Sequence, residues 1–207
     1  MSVADYMTQQ LVVVSPQMTV SGAVELMKQN QIHRLPVMDG ETMVGLITQG
    51  IISRALPSQA TSLSVYETNY LLTKTTVASI MEKNVQTIPA GAQLEDAIYQ
   101  MREHKISVLP VMANDRVVGI ITNNDILDAF LNISGYGEPG VISRIRVAHD
   151  HTGVIFKVGQ VLADHDLSIQ TLMVVRENQE RVIELHIAND QAATVNQILA
   201  EAGFDVV

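Results

Sequence analysis

Residues 33–48, HRLPVMDGETMVGLIT, and residues 105–127, KISVLPVMANDRVVGIITNNDIL, carry the same pattern twice. Working outward from them, a shift of 74 residues aligns Val3–Leu56 with Val77–Phe130 without a gap, and 16 of the 54 positions are identical. Unrelated sequences of this composition would share about three or four. The identities cluster: Ile32, Leu35, Pro36, Val37 and Met38 return as Ile106, Leu109, Pro110, Val111 and Met112, and Val44, Gly45, Ile47 and Thr48 return as Val118, Gly119, Ile121 and Thr122. The chain contains a duplicated unit, and an internal repeat takes precedence over any local reading.

Each copy reads the same way. Ser21–Asn30 places Ala23, Val24, Leu26 and Met27 on one helical face, as does its counterpart Glu95–His104. The runs RLPVM and SVLPVM lead to a turn at Asp39 and Gly40 or at Asn114 and Asp115, then to MVGLIT and VVGIIT, so each pair predicts a hairpin. A second helix starts after Thr48 and after Thr122, which makes the unit β-α-β-β-α. At about 50 residues, neither copy buries enough surface to stand alone, so the two should pack as a pair. Between them, Pro57–Thr76 is rich in Ser, Thr and Gln, with a short helix expected near Tyr66–Leu72. After Leu131, NISGYGEPG has the composition of a linker. The remainder, Val141–Val207, predicts the order β-α-β-β-α-β.

Composition narrows the function. The chain has no cysteine, which removes disulfides, thiolate nucleophiles and cysteine-ligated zinc. A formal charge of −9, with only 13 Lys and Arg spread over 207 residues, argues against nucleic acid as a partner. No stretch approaches the ~20 apolar residues of a membrane span. The first residues show no basic and apolar export signal, which leads us to expect a cytoplasmic protein. No nucleophile sits beside a base and no phosphate-cradling Gly-rich loop is present, so no enzyme is expected.

The duplicated segments resemble a pair of CBS domains, or Bateman module, through the two quoted stretches. The tail resembles an ACT domain through VAHDHTGVIFKVGQVLADHDLSIQTL, residues 147–172, with Thr152 where that family usually has proline. The succession CBS, CBS, ACT resembles the acetoin-utilisation protein B family. The resemblance implies an α+β protein: CBS repeats at 1–56 and 77–133, linkers at 57–76 and 134–140, and a ferredoxin-like ACT-type domain at 141–207. It also implies a regulatory protein that binds an adenine nucleotide (AMP, ADP, ATP or a related adenosyl ligand) as a regulatory ligand rather than a cofactor. Such a protein would form a homodimer and act on a regulated protein whose identity the sequence does not give. The alternative is a constitutive dimerisation scaffold whose sites have decayed.

In the CBS family a Gly-x-x-Thr-x-x-Asp motif holds ribose and phosphate, and here it spans Gly119 to Asp125 with Thr122 and Asn124 between. A carboxylate can accept from two ribose hydroxyls, and a Thr hydroxyl at a helix start can meet a phosphate. Thr, Asn and Asp before an apolar helix are also ordinary capping residues. The resemblance places the base on Val12, Ile32 and His33 of the other repeat, where Val12 and Ile32 also read as core. Arg34 stands where the family often binds phosphate, although it can equally be a surface charge. Repeat one has Ile51 in place of the acid and repeat two has Val108 in place of the arginine, so each site is incomplete and the Asp125 side is expected to dominate. In the tail, Asp150 and Gly153 mark a turn that receives an amino-acid effector in many ACT domains, or that serves the turn alone. His149 and His151 lack a third convergent ligand for a metal.

Overall fold

The computed structural model describes residues 1–55, 65–147 and 152–207, of which 65–69 by their backbone alone. The chain divides into two compact units, Met1–Ile126 and Leu127–Val207.

The first unit begins with α1 (Val3–Tyr6), followed by α2 (Val20–Gln29), β1 (Arg34–Asp39), β2 (Thr42–Thr48) and α3 (Gln49–Ala55). After α4 (Val65–Lys74) the pattern returns as α5 (Val77–Ile80), β3 (Ile88–Pro89), α6 (Leu94–His104), β4 (Val108–Ala113), β5 (Arg116–Thr122) and the first turn of α7 (Asn123–Ser134), a helix that from Leu127 onward belongs to the second unit. Both hairpins form in equivalent registers, Arg34 opposite Thr48 and Val108 opposite Thr122, with an irregularity at Val37/Met38 and again at Val111/Met112. The turn of the second hairpin has Asn114 and Asp115 at φ 50 and 60, the left-handed pair that matches strand twist in a two-residue loop. Val20, Ala23 and Met27 of α2 are buried with Leu35, Val37 and Ile47 of the hairpin, joined by Val77 from the second repeat.

Two expectations need correction. The first strand of each repeat shrinks to an isolated parallel bridge between Val14 and Val37 in one copy and to the two residues of β3 in the other. Pro16 lacks the N–H that would extend the ladder in the first copy, where its counterpart Ala90 in the second donates to Met112 O at 3.0 Å. Helix α7 continues to Ser134, three residues past Leu131, and gives way at Gly135, whose φ is 69.

The repeats are joined by exchange of their starts. Thr8 and Ile120 bond to each other through both backbone groups at 2.9 and 3.0 Å, and 74 residues along, Glu82 and Leu46 do the same at 2.9 Å. Val3 N donates to Ala92 O and Val77 N to Met18 O, each at 2.8 Å. The two halves thus complete one another about a local pseudo-twofold relation. This explains the glycine common to both hairpins: a Cβ at Gly45 would lie 2.7 Å from Glu82 O, and one at Gly119 would lie 3.0 Å from Thr8 O and 2.5 Å from Met7 Sδ. Leu46, Val108 and Ile120 bury a further apolar cluster in this unit, flanked by Leu11 and Val85.

The second unit adds β6 (Val141–Val147), α8 (Val154–Ala163), β7 (Ile169–Glu177), β8 (Glu180–Ile187), α9 (Ala192–Glu201) and β9 (Asp205–Val206) after α7. Its sheet runs β7-β8-β6-β9 with antiparallel neighbours, a β-α-β-β-α-β order in which the third strand lies between the first and second. Val158 and Leu162 of α8 and Val195 and Leu199 of α9 are buried with Ile145, Ile183, Leu185 and Ile187 of the sheet.

Candidate functional site

Val12, Ile32, His33, Arg34, Thr122, Asn124 and Asp125 all line one cleft of about 260 Å³ in the first unit. Three junctions bring them together. Val12 lies on the chain that has just crossed from the β5 edge, Ile32 to Arg34 form the entry from α2 into β1, and Thr122 to Asp125 form the exit from β5 into α7. Val12 and Ile32 are half-buried and pack on the core of repeat one, so their core and wall roles coexist. Thr8, Gln10 and Gln31, to which no motif in the sequence points, also line the cleft. The missing signal was the exchange of starts, which carries Thr8 to the second hairpin.

Asp125 caps its own helix. Thr122 N donates to Asp125 Oδ2 at 2.7 Å, and Asp125 N donates to the Thr122 hydroxyl at 3.4 Å, a reciprocal capping box. The Thr8 hydroxyl donates to Asp125 Oδ1 at 3.3 Å. A carboxylate has about four acceptor positions, so capping leaves capacity for a further donor. Repeat one keeps half of this device: Ile51 N donates to the Thr48 hydroxyl at 3.2 Å, and Ile51 cannot reciprocate.

Arg34 is half-buried, and its Nη1 donates to Ser107 O of the second repeat at 2.7 Å. Burial pulls its guanidinium below the ordinary arginine range, and the Asp125 carboxylate pushes it back up. Cation and carboxylate therefore face one cleft from opposite repeats.

The equivalent cleft on the other side is larger, about 760 Å³, and is lined by Thr48, Ile51, Val108 and Asn123 among others, with His33 and Arg34 shared between the two. In the tail, Gly153 precedes α8 at φ 95, a left-handed turn that suits glycine. Asp150, His149 and His151 lie outside the described residues. Among the described residues no group of three or more His, Asp or Glu could hold a metal ion, and no helix is long and apolar enough to cross a membrane.

The family model described as the CBS domain matches residues 3–58 and 77–132. A CBS domain-containing protein of Bacillus subtilis, YhcV, is 30% identical over 125 residues, covering 60% of this chain and 82% of that protein. A solved acetoin utilization protein from Vibrio cholerae is 28% identical with a TM-score of 0.55, covering 67% of this chain and 98% of that one. The CBS domain pair of protein MJ0100, solved with 5′-methylthioadenosine and S-adenosyl-L-methionine, is 26% identical with a TM-score of 0.53, covering 64% and 97%. The chain also matches a homoserine O-acetyltransferase of Methanohalobium evestigatum, of which it spans 23%.

Proposed function

This chain belongs to the CBS-domain family, and on that premise we propose that it is a regulatory, non-catalytic protein whose repeat pair binds an adenine nucleotide in the Asp125 cleft. The observation that carries the reading is the convergence there of a ribose-competent carboxylate, a half-buried arginine and an apolar wall from two repeats. Asp125 accepts ribose hydroxyls while Thr122, Asn124 and Arg34 meet the phosphate, and the adenine lies against Val12 and Ile32 with backbone groups near His33 reading its edge. The adenosyl ligands carried by MJ0100 support the ligand class. Binding acts as a signal when the ligand prefers one arrangement of the protein over another, and a partner protein responds to that preference.

The tail's strand order supports a ferredoxin-like, ACT-type module over 141–207, behind CBS repeats at 1–56 and 77–133. Asp150 and Gly153 would receive its effector. A cytoplasmic homodimer completes the reading, and the Vibrio cholerae relative suggests acetoin utilisation as the setting. A scaffold without ligand sensing is favoured by one specific observation, the engagement of Asp125 as a helix cap. Calorimetric titration with AMP, ADP, ATP and S-adenosylmethionine separates the two. Saturable binding of at least one, near one per chain, is expected from the sensor, and no heat from any of the four leaves the scaffold.

A further inference from the structure

We propose that the larger cleft beside Ile51 is a binding site of a different chemical class, taking an oligophosphate anion with no requirement for a ribose. Arg34, Arg54 and Lys105 line it together with the imidazoles of His33 and His104, against one carboxylate, Glu82. That carboxylate already accepts from Asn84 N at 2.9 Å. Among the described residues none of these three permanent cations has a carboxylate within 4.0 Å, so their charge is open to a ligand. What sets these three apart is position: in a chain of net charge −9, three permanent cations drawn from both repeats line one cavity. Apart from the bond to Ser107 O, the Arg34 guanidinium has no protein acceptor among the described residues.

The donor set selects the ligand. A ribose diol needs an acceptor, and Ile51 stands where the other cleft has Asp125. A phosphate chain needs donors and positive charge, which the cavity supplies in charge-assisted form and in a concave setting that concentrates the field. At about 760 Å³, nearly three times the Asp125 cleft, it has room for several phosphates with their water. Free oligophosphate and the tail of a nucleoside triphosphate share this chemistry, and they differ in whether the nucleoside adds affinity.

Arg54 and Lys105 line only this cleft and are exposed, and Gln31 already occupies the position equivalent to Lys105 at nearly the same φ, 55 against 53. The variant Arg54→Gln, Lys105→Gln should therefore fold, which a thermal melt checks. The full chain is titrated with inorganic tripolyphosphate at fixed ionic strength, with sulfate as the reference anion. We expect about one tripolyphosphate per chain, sulfate weaker by about tenfold or more, a further loss of about tenfold in the double variant, and little change in Asp125→Ala. A parallel titration with ATP assigns the source: ATP binding that depends on Arg54 and Lys105 and is tighter than tripolyphosphate identifies a nucleotide tail, and the opposite order identifies a free oligophosphate. The proposal is overturned if tripolyphosphate gives no saturable heat, binds no better than sulfate, or survives the double variant unchanged. Loss in Asp125→Ala instead would place the anion in the other cleft and overturn it equally.

Discussion

Replacing Asp125 with alanine removes two functions at once, and the structure allows their sizes to be separated. The first is local: Asp125 Oδ2 holds Thr122 N at 2.7 Å at the start of α7, and loss of a cap of this kind costs about 1 kcal/mol of stability. The second belongs to the ligand. Hydrogen bonds to a charged acceptor are worth about 1.5 to 3 kcal/mol, which converts to a loss of nucleotide affinity of roughly 10- to 150-fold. Stability is read from a urea or thermal melt and affinity from calorimetry with AMP, at temperatures where both proteins are folded. Repeating the titration with 2′-deoxyadenosine monophosphate closes a cycle, because a carboxylate that reads the ribose makes the parent discriminate against the deoxy ligand and leaves the variant indifferent to it. Undiminished AMP affinity in Asp125→Ala, or equal discrimination against the deoxy ligand in both proteins, would refute the assignment and leave Asp125 as a helix cap alone.

Three further outcomes follow from the same geometry. Ile51→Asp completes the half-formed capping box at Thr48 and supplies the missing ribose acceptor, so calorimetry should count about two AMP per chain in place of about one, and tripolyphosphate should bind more weakly because a carboxylate has entered its cavity. An unchanged stoichiometry in a folded variant would show that Ile51 is not the defect. Gly45→Ala forces a methyl to within 2.7 Å of the Glu82 carbonyl on the exchanged chain segment, and overpacking of this kind should cost about 1 to 3 kcal/mol in denaturant unfolding; an unaltered midpoint would contradict the close approach. Leu127, Phe130 and Leu131 lie exposed on α7 at the spacing of one helical face, and we expect sedimentation at twice the chain mass, falling to the chain mass in Phe130→Glu. A parent that stays monomeric at all concentrations would exclude the homodimer.

The duplication, both hairpins, their turns and the β-α-β-β-α-β order of the tail were legible in the sequence, because each is written in short-range signals: two apolar runs parted by a turn in Val108–Thr122, helical spacing in Ser21–Asn30 and Glu95–His104, and turn residues at Asn114 and Asp115. The motif residues could be named for the same reason, since the capping box that positions Thr122 and Asp125 spans four consecutive positions. The exchange of starts could not be read this way. It rests on backbone pairs such as Thr8 with Ile120, 112 residues apart, which have no periodicity to announce them. That exchange decides what the sequence left open: why Gly45 and Gly119 lack a side chain and how Thr8 comes to donate to Asp125. Arg34, near the sequence centre of repeat one, is held by the Ser107 carbonyl of repeat two, so a single guanidinium serves both sides while Arg54 and Lys105 gather on one. Local propensity fixes which residues form each element, but charge convergence in a cavity depends on side chains brought together from distant parts of the chain, and only tertiary packing determines that arrangement.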